Sequence, residues 1–181
     1  MEHTGINIQG NIISSELFNQ VRNEQLKYQQ PKDFGFEGST RLKEEIGLAW
    51  ADSKSLWSVF KSKISRLKEN ETGAGETRTL WMDPLLSLLG YQLERATAEE
   101  INGKSYAINR RDTKLDAFPV FIAGYYESLD RKPSGGTLRV SPHALVQEYL
   151  NTTDHLYALV TNGKQLRLLR DASRLARLTY L

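Results

Sequence analysis

The side chains of this 181-residue chain best suited to chemistry are its carboxylates. Magnesium-dependent cleavage of a phosphodiester needs two or three carboxylates around the metal, and a lysine to steady developing charge or place water. Asp116, followed by Asp130-Arg131-Lys132, gives an Asp…Asp-x-Lys pattern, and Glu76 adds a carboxylate on the helix upstream. On this reading Asp116 and Asp130 are the metal ligands of a Mg²⁺ site, and Glu76 and Lys132 complete the catalytic set. The pattern carries a geometric demand. An acid and a lysine two residues apart share one face only on a strand, and residues 127–136 (ESLDRKPSGG) read as a polar loop. At the end of the preceding apolar run, where the acid and lysine should stand, the chain offers Ile122-Ala123-Gly124-Tyr125-Tyr126.

Other chemistries lack their residues. Cysteine is absent, which excludes disulfides, thiol catalysis and thiolate metal sites, and suits a reducing cytoplasm. The three histidines, His3, His143 and His155, have no zinc-binding spacing. No G-x-S-x-G elbow, phosphate-binding loop or dinucleotide fingerprint occurs. A glycine-rich cofactor turn and an Asn-Pro-Pro-aromatic motif are also missing, so these residues alone are not an adenine methyltransferase. The chain is 39% hydrophobic and 25% charged, with a net charge of +2, which does not by itself announce nucleic acid. From Asn151 onward, five Lys/Arg face two Asp. The longest apolar run, 118–126, is too short to span a bilayer. The first ten residues read as no signal peptide, so a cytoplasmic protein without membrane partners is expected.

The elements that must position these residues follow from pattern. Residues 14–30 begin with a serine cap and carry a weak helical stripe ended by Pro31. A second helix begins near Thr40, and after Asp52-Ser53 another stripe runs through Leu56, Trp57, Phe60, Ile64 and Leu67. Residues 70–76 (NETGAGE) read as a linker, and 76–90 as an apolar helix with a kink or restart at Pro84. Strands are expected at 91–94, 105–109, 115–126 and 137–140, with Arg110-Arg111-Asp112 as a turn or basic loop.

The sharpest local pattern lies in 141–170. Ser141 is an N-cap and Pro142 fits the first helical position, so 142–151 reads as an amphipathic helix. Residues 155–161 form a strand. Asn162-Gly163 predicts a type I′ hairpin, whose two central residues both need positive φ. Residues 164–170 return as a second strand. The order helix–β–β–β–helix–β–β predicts an α/β (α+β) domain with a mixed central sheet flanked by helices. The expected division is a helical N-terminal extension over 1–70 and the α/β domain over 71–181.

From Leu80 to Arg170 the sequence resembles a known group. Leu89-Gly90-Tyr91, Asp116-Ala117 with Pro119-Val120, Leu129-Asp130-Arg131, the 141–150 helix and Leu159 to Gly163 are similar to the N-terminal region of large type IIG-like restriction–modification and phage-defence adenine-specific DNA methylases. The last two segments also resemble the end of the nuclease domain of type I restriction subunits. The resemblance implies a restriction-endonuclease-like fold of the PD-(D/E)xK type, with Gln147 as the helix glutamine and Asp116, or its rival Asp112, at the first acidic position. It implies that the chain is cut from a longer polypeptide with methyltransferase and target-recognition domains downstream, where S-adenosylmethionine would belong. Double-stranded DNA is the implied partner, with Arg110, Arg111, Lys164, Arg167 and Arg170 as candidate phosphate contacts. Two readings stay open: Mg²⁺-dependent endonuclease cleavage, or a catalytically inactive nuclease-fold module for DNA binding or domain scaffolding.

Overall fold

The computed structural model describes residues 5–10, 12–37, 40–68, 70–134 and 138–173. It divides into two compact units, Met1–Trp50 and Ala51–Leu181. In the first, α1 (Ser15–Arg22) is capped by Ser14, whose hydroxyl accepts the Leu17 amide at 3.0 Å. The helix ends well before Pro31. The Gln29 side chain accepts the Leu26 amide and donates to the Val21 carbonyl, both at 2.8 Å, so the chain turns back after one short helix. A 3₁₀ turn at Pro31–Phe34 follows, closed by Gly35 at a positive φ.

Helix α2 (Leu42–Ile64) is a single helix of 23 residues. The break expected at Asp52-Ser53 does not occur. Ser53 is buried within the helix, and burial overrides its weak preference for a helix start. Residues 74–88 form a composite helix: α3 (Ala74–Glu76), a π-helical segment (Thr77–Met82) and α4 (Asp83–Leu88). The widened segment stands just before Pro84, which has no N–H to give to the preceding turn.

The main sheet has the order β1-β4-β5-β6-β7. Its strands are β1 (Leu93–Arg95), β4 (Arg110–Asp112), β5 (Phe118–Ile122), β6 (Tyr157–Thr161) and β7 (Leu166–Arg170). All neighbours are antiparallel except β5 and β6, which are parallel and joined through α5 (Pro142–Thr152). A parallel pair needs such a crossover. A separate hairpin, β2 (Glu99–Ile101) and β3 (Lys104–Tyr106), was not expected. Its turn, Asn102-Gly103, has positive φ at both residues, as a type I′ turn requires. Arg110-Arg111-Asp112 is a strand rather than a loop. No strand forms over 138–140, and the chain after Ser173 lies outside the described residues.

Alternation along β5 and β6 sorts the core onto two faces. Val120, Ile122 and Leu159 pack with Met82 and Leu86 of the composite helix. Phe121, Ala123, Ala158 and Val160 pack with Leu145, Val146, Tyr149 and Leu150 of α5. Helices therefore cover both faces of a mixed α/β sheet. Ser141 caps α5 by accepting the Ala144 amide, with Pro142 at the first position, as the sequence predicts. Among the described residues, no helix is long and apolar enough to cross a membrane.

Candidate functional site

The parallel strands β5 and β6 end side by side, with Ile122 opposite Thr161. In open α/β sheets, the space beyond the carboxyl ends of parallel strands is where a binding crevice forms. Here two loops leave those ends. The first runs through Ala123-Gly124-Tyr125-Tyr126-Glu127, and the second through Asn162-Gly163-Lys164-Gln165. The Ala123 amide extends the ladder by donating to the Thr161 carbonyl at 2.8 Å.

Asn162 joins the loops. Its side-chain Nδ2 donates to the Glu127 carbonyl at 2.8 Å, and its Oδ1 accepts the Lys164 and Gln165 backbone amides at 3.1 Å. The connection is therefore a four-residue loop and not the two-residue type I′ turn expected. Gly163 takes a positive φ of 81° and Asn162 does not. An asparagine that hydrogen-bonds two residues onward builds the turn with its side chain instead. The Gly163 carbonyl accepts the Trp81 indole N–H at 2.9 Å.

On the other side, the Tyr125 amide donates to the Thr77 hydroxyl at 2.9 Å, and the Tyr126 hydroxyl donates to the Ile64 carbonyl at 3.2 Å. Gly124 lies so close to the 72–73 segment that a Cβ there would stand 2.5 Å from the Thr72 carbonyl oxygen. Beneath the loops, Trp57, Phe60, Trp81 and Tyr125 form a ring cluster with centroids 5.1–6.2 Å apart. Such a cluster gives a rigid floor. Above it the Lys164 ammonium stands 4.2 Å from the Tyr125 ring centroid and 5.4 Å from that of Tyr126. Lys164 is exposed and Tyr126 is 52% exposed. An ammonium held by aromatic faces keeps its donors free for an anion such as a phosphate. Nearby, half-buried Arg78 senses the charges of Arg110, Asp83, Glu127 and Arg95. Burial, then Arg110, pulls its guanidinium below the usual value; arginine remains charged at neutral pH.

The residues singled out in the sequence fall elsewhere. Asp116 is exposed in the turn before β5, with a positive φ of 49°, and its charge reaches His155. Asp130 gives both carboxylate oxygens to Arg167 of β7, at 2.6 and 2.7 Å. Arg167 shares a row with Val160, and Val160 with Phe121. That row lies three residues, about 10 Å, beyond the start of β5 that the Asp116 turn precedes. Lys132 is exposed in the loop after β5. Gln147 of α5 donates to the Arg170 carbonyl at 3.0 Å and the Asn151 side chain at 3.1 Å. Glu76 ends α3, in the helix on the opposite face of the sheet from α5. These five are not brought to one point. Among the described residues, no three His, Asp or Glu side chains stand together as a metal ion would need.

The rival acid, Asp112, is fully buried. It accepts the Gln92 amide at 2.6 Å and the Lys114 and Leu115 amides at 2.8 Å, which fixes the turn after β4. Among the basic candidates, Lys164 alone is exposed. Arg110 is buried in a two-pronged pair with Asp83, at 2.8 and 2.9 Å. Arg111 is shared by Glu99, the Tyr149 hydroxyl and the Ala117 carbonyl. Arg167 serves Asp130, and Arg170 lies half-buried at the end of β7. Sequence reasoning passed over Tyr125, Tyr126, Trp81 and Asn162 as site residues. The signal was the Tyr125-Tyr126 pair directly following a buried strand.

Compared with family models, with curated proteins and with solved structures, the chain finds no match.

Proposed function

We propose that this chain is a nuclease-fold module of a restriction–modification or phage-defence DNA methylase, and that it engages duplex DNA without cleaving it. One observation carries the reading. At the end of β5, where a nuclease of the resembled type needs an acid and a lysine, the chain places Ala123 in the core and Tyr125 beneath Lys164. The order composite helix, β1, β4, β5, α5, β6, with β5 parallel to β6, supports the fold assignment, the β2–β3 hairpin being an added excursion.

Lys164 then provides phosphate attraction, and the tyrosines beneath it fix the ammonium in place. The separation of Asp116, Asp130 and Glu76 in the fold favours engagement without Mg²⁺-dependent cleavage. The downstream methyltransferase and target-recognition domains are the proposed covalent partners, and S-adenosylmethionine belongs to them. Fluorescence anisotropy with a labelled duplex tests the reading. Binding that weakens steeply with salt is expected, with Lys164→Ala weakening it further. Absence of binding at low salt would remove the DNA assignment.

A further inference from the structure

Two arginines on the α5 face of the sheet are held in the same three-way arrangement. Arg167 binds the Asp130 carboxylate, and its Nη1 stands 3.3 Å from His143 Nδ1. Arg111 binds the Glu99 carboxylate, and its Nη1 stands 3.3 Å from His155 Nε2. A guanidinium only donates, so each imidazole nitrogen must accept, and each histidine must be neutral at that atom. His143 is the second residue of α5, and His155 follows its end by three residues. The two carboxylates sit on different segments. Asp130 lies in the loop between β5 and α5, and Glu99 begins the β2–β3 hairpin.

We propose that His143 and His155 form a pair of acid-sensitive clamps at the two ends of α5. Neutral, each supports the arginine that tethers a segment; protonated, each sets a second cation against that arginine and loosens the 124–134 loop around Asp130 at one end and the 99–106 hairpin around Glu99 at the other. The groups facing each histidine define the balance. His143 meets Arg167 of β7 and Asp130 of the loop. His155 meets Arg111 of β4, Glu99 of the hairpin, Asp116, the adjacent Asp154, and the Tyr149 ring of α5 stacked at 5.9 Å. Burial first, then the arginine, pulls both histidines below their usual value, against the opposing pull of the carboxylates. A histidine whose folded value is depressed binds fewer protons folded than unfolded. Its stabilising contribution is therefore complete above the ordinary value of about 6.5 and is lost as pH falls towards the folded value.

The test is an NMR titration of the imidazole Hε1 signals of the whole chain between about pH 8 and 5. Hydrogen exchange, corrected for intrinsic rate, is followed in parallel. Both histidines are expected to titrate below about 6.5, and protection at 124–134 and 99–106 to fall several-fold across the same titration while β5 and β6 hold. His143→Gln retains an acceptor but cannot ionise. It should abolish the pH dependence at 124–134 and leave that of the hairpin, and His155→Gln should do the reverse. Histidines titrating at or above the ordinary value, segments whose protection ignores the wild-type titration, or opening that persists unchanged in the glutamine variants would each overturn the proposal.

Discussion

Arg110 distinguishes an arginine that holds the fold from one that meets a ligand. Its side chain is 7% exposed and grips Asp83 with two N–H groups, tying β4 to the composite helix. Arg110→Ala leaves that carboxylate without its cation. Removing one partner of a buried pair costs about 3–5 kcal/mol. Two features reduce this. Asp83 is 30% exposed, so water reaches it, and Arg78 lies near enough to sense its charge. A loss of about 2–3 kcal/mol is therefore expected, which lowers Tm by roughly 5–10 °C for a chain of this size. Urea denaturation followed by circular dichroism measures it. The double variant Arg110→Met with Asp83→Leu, which replaces the pair by apolar groups, should recover most of the loss. DNA affinity per folded molecule should stay near wild type. A loss under about 1 kcal/mol, or a double variant no better than Arg110→Ala, would refute the structural role.

Other outcomes follow from neighbouring positions. Gly124→Ala drives a Cβ against the Thr72 backbone carbonyl; a loss of about 1–3 kcal/mol is expected, read by thermal denaturation. Phe60 is fully buried within the ring cluster, and Phe60→Ala should cost about 3–5 kcal/mol, measured the same way. Lys164→Ala should leave Tm nearly unchanged and lower the salt slope of DNA binding by about 0.9, the value for one phosphate contact, read by anisotropy. The Arg167 hydrogen bond holds the Asp130 carboxyl below the usual carboxylate range. The contribution of this exposed group is present above the unfolded value and lost as pH falls through the folded one. Asp130→Asn should therefore lower stability modestly at neutral pH and flatten the acid limb of a stability–pH curve, so that variant and wild type converge in acid.

Legibility in the sequence followed the locality of the cause. α5 was readable because its cap, its proline and its apolar period act within a few residues of one another. The strand at 110–112 was not, because Arg-Arg-Asp reads as a polar turn until Asp83, Glu99 and the Gln92 amide are in place to satisfy it. The β2–β3 hairpin was written in Asn102-Gly103 and overlooked, because its strands are only three residues each. The continuity of α2 depends on burial of Ser53, which no local pattern records. The carboxylates stood out by residue type. What each does is set by partners far along the chain, such as Arg167 for Asp130, 37 residues away. The Lys164 platform was partly legible, since Asn162-Gly163 marks the place of the turn before the lysine, though not its type. Its tyrosines, on another loop, needed the parallel pairing of β5 and β6 to bring them beneath it.

One gel tests both the proposed engagement of DNA and the proposed absence of cleavage. Supercoiled plasmid is incubated with the chain in Mg²⁺ at low salt, and run with and without removal of protein. A retarded band that returns to intact supercoiled DNA after deproteinisation is expected. Unretarded plasmid would contradict the engagement, and nicked or linear product that disappears in Asp116→Ala would contradict the absence of cleavage.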